Sequence, residues 1–302
     1  MAAKGTLAKG QVIDQTYEVL FYIGEGAFGE VYRVKHRHLG IQVLKLLKED
    51  FDQAADLEEI SREARLLARI THPNIVRVFE ANSVVLEGRP RHYLTMGFVS
   101  GETLTQLLAR RMTLTREEAV TVMVDVLRGL SYVHDMSPPL IHRDINLDNI
   151  LLSYEGPRTV ALLSDFGLAQ TLDALGHLPG AAGRYPYMAS ECFWGTYLLP
   201  SDVFSAGVGL YRLLTGLHPW QYDLDTADTP NDLVTEIARA RKTAPRPPSY
   251  RTGVEDKLLD LIVLKAINRD VELRYPTAGE FLAALEFWLA ERPPAPGTPL
   301  PT

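Results

Sequence analysis

The sequence predicts an α+β fold, in which a strand-rich part is followed by a larger helical part. Short apolar runs separated by turn residues fill the chain before Val99, and long helical patterns fill it after Gly101. Strand-like runs followed by a series of helices are typical of α+β proteins. The change of composition therefore predicts two lobes, at residues 13–99 and 100–292, between a flexible N-terminal tail at 1–12 and a proline-rich segment at 293–302.

The composition of the chain excludes several classes of function. A chain of 302 residues can bury one large core or two smaller ones. The net charge of -7 argues against nucleic acid or an anionic membrane as the main partner. No apolar run is long enough for a signal peptide or a membrane span, and the single cysteine, Cys192, fits a reducing compartment. We therefore expect a cytoplasmic chain, or the cytoplasmic piece of a longer one.

The part before Val99 contains strand-like runs, a glycine-rich turn and one helical pattern. A first strand at 17–23 meets the run Gly24-Glu25-Gly26-Ala27-Phe28-Gly29, and a returning strand follows at 30–34. The apolar spacing between residues 53 and 70 predicts a helix, which His72-Pro73 ends. Further strands are predicted at 41–47, which contains Lys45, at 75–79 and at 92–98.

The part after Gly101 contains a series of helices. Thr115-Arg116-Glu117-Glu118 has the pattern of a capping box and opens a long apolar helix through Val133. The proline-rich end cannot pack as a helix or strand, so we interpret residues 293–302 as a linker that leads to a further domain. Other helical patterns occur at about 201–215, 231–242, 254–267 and 277–291.

A loop between two apolar runs carries the residues with the clearest chemistry. Asp144 and Asn149 precede the strand-like run at 150–152, and Asp165 follows a second such run at 160–163. This pattern places two carboxylates and one amide at the ends of adjacent strands. Such a cluster can orient a hydroxyl nucleophile and hold magnesium against phosphate oxygens. For either loop residue alone, the alternative is a side chain that only caps a turn.

The glycine run is compatible with two kinds of nucleotide site, and its context distinguishes them. The pattern G-x-G-x-x-G also marks dinucleotide-binding folds, which need a strand, the glycines, a helix and then an acid about twenty residues on. Here the glycines lie between two strands, and Lys45 follows them instead of an acid. Backbone amides that carry no side chains can close over a triphosphate. On its own such a run is usually a glycine-rich hairpin without a ligand, but because Lys45 follows it we interpret the run as a loop that covers a triphosphate.

The order of these motifs resembles that of eukaryotic-type protein kinases, and the start of the chain resembles bacterial members of that family. The resemblance covers about residues 17 to 291. It implies a bilobal protein kinase fold, in which a five-stranded antiparallel sheet with one helix precedes a larger, mainly helical lobe. It also implies that Asp202 anchors the backbone of the Asp144 loop and that Arg274 pairs with Glu191.

The resemblance further implies a role for each residue of the site. Asp144 would orient the substrate hydroxyl and accept its proton, while Asn149 and Asp165 would hold Mg2+. Lys45, paired with Glu63, would hold the phosphates of ATP. The remaining contacts with ATP would come from the glycine loop, the adenine pocket and the hinge: Gly24, Glu25, Gly26, Ala27, Phe28, Gly29, Val31, Val43, Leu151, Met96, Gly97 and Val99.

The implied function is transfer of the γ-phosphoryl group of ATP to a serine or threonine hydroxyl of a protein substrate. Two departures alter the charge around that group: Asn146 stands where the family usually has lysine, and Arg184 where it usually has threonine. The alternative function is therefore a nucleotide-binding pseudokinase that acts as a regulatory interaction module. Three roles are open for Arg184: it replaces the missing cation, it locks Asp144 in an ion pair, or it contacts acidic substrate residues.

Overall fold

The computed structural model describes residues 5–26, 29–48, 66–165, 184–223 and 229–292. These residues divide into two compact units, and the division falls between Val99 and Ser100. The first unit is built on a six-stranded antiparallel sheet, and the second is mainly helical with a small three-stranded sheet. The predicted α+β class is therefore confirmed.

The sheet of the first unit contains β1 Val12–Ile13, β2 Tyr17–Gly26, β3 Gly29–His36, β4 Gly40–Leu47, β5 Val78–Leu86 and β6 Arg89–Gly97. Its order is β1-β2-β3-β4-β6-β5, and every neighbouring pair is antiparallel. Six strands replace the predicted five, because the short β1 pairs with the start of β2. The predicted helix at 53–70 lies mainly outside the described residues, which resume at Leu66.

The strand β5 lies later in the chain than the apolar pattern predicts. The run at 75–79 indicates a strand there, but β5 begins at Val78 and pairs with β6 as far as Leu86. Two of its residues, Asn82 and Ser83, are polar and exposed. Because β5 is an edge strand, it pairs on one side only and tolerates polar residues. Backbone pairing with β6, rather than an apolar run, therefore determines where this strand lies.

The core of the first unit lies on one face of its sheet and includes a residue that precedes β1. Tyr32 and Leu44 are fully buried on this face, and Leu7, only 3% exposed, packs in the same cluster. The backbone N–H of Leu7 donates to the Tyr32 hydroxyl oxygen at 3.0 Å, and that of Thr6 donates to Glu30 Oε2 at 2.8 Å. Residues 5–12 therefore differ from the flexible tail predicted for 1–12, because one apolar side chain ties them to the core.

The second unit, within its described residues, contains α1 Leu104–Arg111, α2 Arg116–His134, α3 Leu199–Thr215, α4 Pro230–Ala240, α5 Pro248–Thr252, α6 Lys257–Ala266 and α7 Ala278–Ala290. Its sheet consists of β7 Gly101–Thr103, β8 Ile150–Ser153 and β9 Val160–Leu163. The long helix α2 packs against α3, α7 and β9, so it forms the centre of this unit. None of the helices described combines the length and the apolar character that crossing a membrane requires.

Capping boxes open both α1 and α2. Thr115 Oγ1 accepts the N–H of Glu118 at 3.2 Å, and Glu118 Oε2 accepts the N–H of Thr115 at 2.9 Å, as predicted. Thr103 and Gln106 make the same pair of bonds at the start of α1. The apolar pattern does not predict α1, because the eight residues of this helix end in two arginines and give only a short apolar run. The Thr-x-x-Gln signal at 103–106 marks where this helix begins.

The substitution Leu7→Ala should lower the free energy of unfolding by about 2 to 4 kcal/mol, because it leaves a cavity among core side chains. Chemical denaturation measures the change. Leu39→Ala is the matched control, since Leu39 is 68% exposed in the turn before β4. Surface substitutions usually change stability by less than about 0.5 kcal/mol. Equal denaturation midpoints for the two variants would contradict the packing of Leu7.

Candidate active site

Asp202, in the first turn of α3, holds the backbone of the loop at 142–149, which we call the Asp144 loop. Its Oδ2 accepts the N–H of His142 at 2.7 Å, and its Oδ1 accepts the N–H of Arg143 at 2.9 Å. His134 Nε2 lies 3.0 Å from the same Oδ2. A carboxylate that is only 1% exposed needs such partners, because a buried charge without hydrogen bonds is costly. The predicted anchoring role of Asp202 is confirmed.

These bonds also stabilise a strained residue. Arg143 has a φ of 67°, in the left-handed region that non-glycine residues rarely adopt. Such a conformation costs about 1 to 3 kcal/mol and persists only where the surroundings hold it. The Arg143 guanidinium lies 4.5 Å from the ring centroid of Tyr197, where a cation is attracted by the aromatic face.

Asn149 fixes the carboxylate of Asp144. Its Nδ2 donates to the backbone oxygen of Asp144 at 2.8 Å and to Oδ2 at 2.6 Å. Both residues are 8% exposed, so these bonds are shielded from water. Because Nδ2 makes both bonds, Oδ1 of Asn149 makes none within the described residues and can ligate a cation. The structure therefore brings together the acid and the amide that the sequence places five positions apart.

Asn146 organises the Asp144 loop, a role that the resemblance to kinases does not imply. Its Oδ1 accepts the N–H of Asp148 at 2.9 Å and that of Asn149 at 3.3 Å, which caps the short 3-10 helix Leu147–Asn149. Its Nδ2 donates to Asp144 Oδ1 at 2.9 Å. All of its polar atoms thus act inside the loop. The preference of asparagine for cap positions is the sequence signal that indicates this role.

Asn149 and Asp165 lie at the ends of the paired strands β8 and β9. Ser164 donates to the backbone oxygen of Asn149, through its N–H at 2.9 Å and its Oγ at 3.1 Å. His142 Nε2 lies 3.0 Å from the backbone oxygen of Ser164, and burial lowers the pKa of His142. A carboxylate and an amide oxygen are ligands that Mg2+ prefers, usually together with substrate phosphates. The chemistry of these two donors therefore suits a divalent cation.

Arg184 forms an ion pair with Asp144. Its Nε donates to Asp144 Oδ1 at 2.6 Å, and its Nη2 contacts Asp144 Oδ2. The two side chains are 18% and 9% exposed. Burial lowers the pKa of Arg184 to about 10, which leaves the guanidinium charged at neutral pH. The structure thus contains the ion pair that is one of the three roles open for this residue.

The segment that follows Arg184 is anchored to helix α4 and to the residue after it. Tyr185 packs with Leu233 and Ile237 of α4. Arg241, 1% exposed, donates to the backbone oxygens of Pro186 at 2.9 Å and Met188 at 2.6 Å. No sequence signal predicts Arg241 as an anchor, because only its partners distinguish it from a surface arginine.

Further along the same segment, Glu191 pairs with Arg274. Arg274 Nη1 lies 2.6 Å from Glu191 Oε1, and its Nη2 lies 3.0 Å from Oε2. Arg274 is 2% exposed, and its guanidinium also donates to three backbone oxygens. A bidentate arginine–carboxylate pair of this geometry is among the stronger ionic contacts in proteins. The predicted partnership of these residues is confirmed.

Several residues expected to contact ATP share one face of the sheet in the first unit. Val31 pairs with Lys45, and Val43 pairs with Met96, across neighbouring strands. Residues that pair directly lie on the same face, as do residues two apart on one strand. These four side chains therefore lie on the face opposite Tyr32. Lys45 is buried, with 4% exposure, whereas Val31 and Val43 are partly exposed.

Three glycines of the run, Gly24, Gly26 and Gly29, lie at the end of β2 and the start of β3. Gly24 pairs with Val31, and Gly26 pairs with Gly29. A Cβ on Gly29 would lie 2.1 Å from the backbone oxygen of Leu46, so a larger residue does not fit there. The other expected contacts are placed as follows: Glu25 on β2, Gly97 at the end of β6, Val99 at the end of the first unit, Leu151 on β8 of the second unit, and Ala27, Phe28 and Glu63 outside the described residues.

A sequence profile of the protein kinase domain matches residues 17–284. The chain belongs to this kinase family. Three curated relatives are the probable serine/threonine-protein kinase CPE1738 of Clostridium perfringens, at 29% identity, the probable PknB of Bifidobacterium longum, at 32%, and PknB of Mycobacterium tuberculosis, at 30%. They match 92%, 88% and 90% of this chain, which covers only 39%, 38% and 43% of their own lengths.

A solved kinase structure is also similar to this chain. The PknI kinase domain of Mycobacterium tuberculosis has a TM-score of 0.70 and 25% identity, over 93% of this chain and 99% of that one. The predicted bilobal kinase fold and the resemblance to bacterial kinases are therefore confirmed.

His218 lies beside the anchored segment of this kinase domain. Its ring makes edge contacts with Tyr187 at 5.3 Å and Tyr222 at 5.9 Å. Burial, with the positive charges of Arg212 and Arg241, lowers the pKa of His218 from 6.5 to about 3. The folded domain therefore keeps this ring neutral at pH values where the unfolded chain protonates it.

The stability of the domain should fall as the pH drops below about 6.5, the pKa of histidine in an unfolded chain. Between that value and the folded pKa of about 3, the unfolded state binds a proton that the folded His218 does not bind. The free energy of unfolding falls by about 1.4 kcal/mol per pH unit for one such histidine. Urea midpoints at neutral and mildly acidic pH measure it. His218→Phe should reduce the slope by that amount, and an unchanged slope would contradict the burial of a neutral ring.

Proposed function

We propose that this kinase domain transfers the γ-phosphoryl group of ATP, with Mg2+, to a serine or threonine hydroxyl of a protein. The observation that carries the proposal is the buried Asp144 carboxylate, which Asn149 and Asn146 hold in one orientation. The three relatives named above are all described as serine/threonine-protein kinases, which supports the choice of acceptor. A protein substrate and a cytoplasmic location belong to the same proposal.

In this mechanism the chain positions the reactants and moves one proton. Bound ATP and Mg2+ would supply the phosphoryl group and much of the charge that stabilises its transfer. Asn149 Oδ1 and Asp165 would ligate the metal. Lys45, with Glu63 as its partner, would hold the phosphates. Asp144 orients the hydroxyl and takes its proton as the hydroxyl oxygen bonds to phosphorus and ADP leaves.

The alternative, a pseudokinase, would bind the same nucleotide without transfer. The relatives favour the enzyme, since each bears the name of a kinase. Nucleotide binding and phosphoryl transfer therefore have to be measured separately, because only transfer distinguishes the two functions.

Asp144→Asn should reduce the rate of transfer from labelled ATP to a protein substrate by about 100-fold or more, the usual contribution of a general base. The asparagine keeps the shape of the side chain but cannot accept the proton. Asp135→Asn makes the same charge change at an exposed residue after α2 and should leave the rate unchanged. A transfer rate that survives in Asp144→Asn would refute the proposed mechanism.

ATP with Mg2+ should raise the melting temperature of the wild-type domain, because a ligand that binds only the folded state stabilises it. Lys45→Met should remove most of this shift, since the buried ammonium would hold the phosphates. Lys35→Met, on the exposed side of β3, is the matched control and should keep the shift. A shift without any transfer would favour the pseudokinase, and the lack of any shift with purine nucleotides would exclude both functions.

A further inference from the structure

The Asp144 carboxylate has no acceptor site left for a substrate hydroxyl. Its Oδ1 accepts hydrogen bonds from Asn146 Nδ2 at 2.9 Å and from Arg184 Nε at 2.6 Å. Its Oδ2 accepts one from Asn149 Nδ2 at 2.6 Å and contacts Arg184 Nη2 in the ion pair. A carboxylate offers about four acceptor sites, and these four donors fill them. A hydroxyl can therefore reach Asp144 only after a donor leaves.

Arg184 is the donor that can leave without damage to the loop. Asn146 and Asn149 also bond the backbone oxygen of Asp144, at 3.2 and 2.8 Å, and Asn146 caps the 3-10 helix. Displacing either amide would break the loop that orients the base. Arg184 comes from a different segment, and its long side chain can rotate about several bonds while its backbone stays fixed.

The position of the Arg184 backbone limits where its guanidinium can go. The anchors from Tyr185 and Arg241 hold the residues that follow it. A displaced guanidinium therefore remains within one side-chain length of the Arg184 backbone, in the neighbourhood of Asp144, where the substrate hydroxyl arrives. A cation that is largely shielded from water is unfavourable without an anionic partner. An anion close to the acceptor hydroxyl is therefore a group that can release Asp144.

We propose that Arg184 determines substrate specificity: a carboxylate of the protein substrate, next to the acceptor hydroxyl, takes the guanidinium and frees Asp144. This inference rests on the proposed function and names its substrate class, which is serine or threonine sites with a neighbouring aspartate or glutamate. The exchange replaces one arginine–carboxylate pair with another of the same planar geometry. A serine or threonine without an acidic neighbour provides no such carboxylate, so Arg184 stays paired with Asp144.

The phosphates of ATP are another group of anions that can attract Arg184. In the proposed function they already have Mg2+ and Lys45 as counter-charges. Among the described residues, the hydrogen bonds and ion pairs of the Asp144 side chain include one cation, Arg184. Arg184 is therefore more useful for binding the protein substrate than for binding the phosphates of ATP.

Rates on two peptide libraries with a serine acceptor test the inference. One library is neutral around the serine, and the other carries aspartate or glutamate at the flanking positions. The wild-type domain should use the acidic library with at least about tenfold higher kcat/KM, the effect of one charge-assisted hydrogen bond. Arg184→Ala should raise kcat/KM on the neutral library and remove the preference. Arg184→Lys keeps the charge but not the planar guanidinium. Its preference for the acidic library should therefore lie between that of the wild type and that of Arg184→Ala.

The matched control is Arg239→Ala. Arg239 is an arginine of α4 that pairs with Glu236 at 2.7 Å, and its loss should leave the preference for acidic peptides intact. Thermal unfolding verifies that each variant is folded. Binding of the same peptides with alanine in place of the acceptor serine gives a readout without transfer. The acidic peptides should bind the wild type more tightly than Arg184→Ala.

Equal use of the two libraries by the wild-type domain would overturn the inference. A lower kcat for Arg184→Ala on both libraries, with weaker nucleotide binding, would also overturn it and assign Arg184 to the phosphates of ATP. Unchanged rates on both libraries in Arg184→Ala would overturn it as well, because the arginine would then have no effect on substrate choice. The proposed function fails in a different way, through undiminished transfer by Asp144→Asn or through no transfer by any variant, and the inference would then fall with it.

Discussion

The bonds from Asp202 to two successive backbone N–H groups set the geometry on which the site depends. Because Asp202 lies in α3 and its third partner, His134, lies at the end of α2, the packing of two core helices determines where the loop runs. The strained backbone at Arg143 is a consequence of that constraint. The course of the Asp144 loop thus depends on the core of the second unit, while Asn146 and Asn149 of the loop itself orient the Asp144 carboxylate.

Arg184, which pairs with the Asp144 carboxylate, is positioned by a different helix. The segment after Arg184 is fixed by apolar packing on α4 and by the buried Arg241. The two halves of the Arg184–Asp144 ion pair are therefore held by different helices. Neither partner needs the other to stay in place, which is a condition for the exchange that we propose.

Much of the fold could be predicted, because apolar periodicity identifies long, well-packed elements such as α2 and the strand that carries Lys45. The edge strand β5 and the segment around Leu7 could not, since backbone pairing and a single buried side chain leave almost no pattern. The motifs located Asp144 and Asn149 and their partners. They could not choose among the roles of Arg184, because residue type indicates which bonds are available and only geometry decides which one forms.

The cap that Asn146 provides has a consequence for any lysine placed at this position. A lysine at this position would restore a cation near the transferred group, but it would leave the N–H groups of Asp148 and Asn149 without their acceptor. Losing such a cap costs about 1 kcal/mol and would loosen the residue that fixes Asp144. A chain with lysine in place of Asn146 would therefore combine a regained cation with a less rigid Asp144 loop.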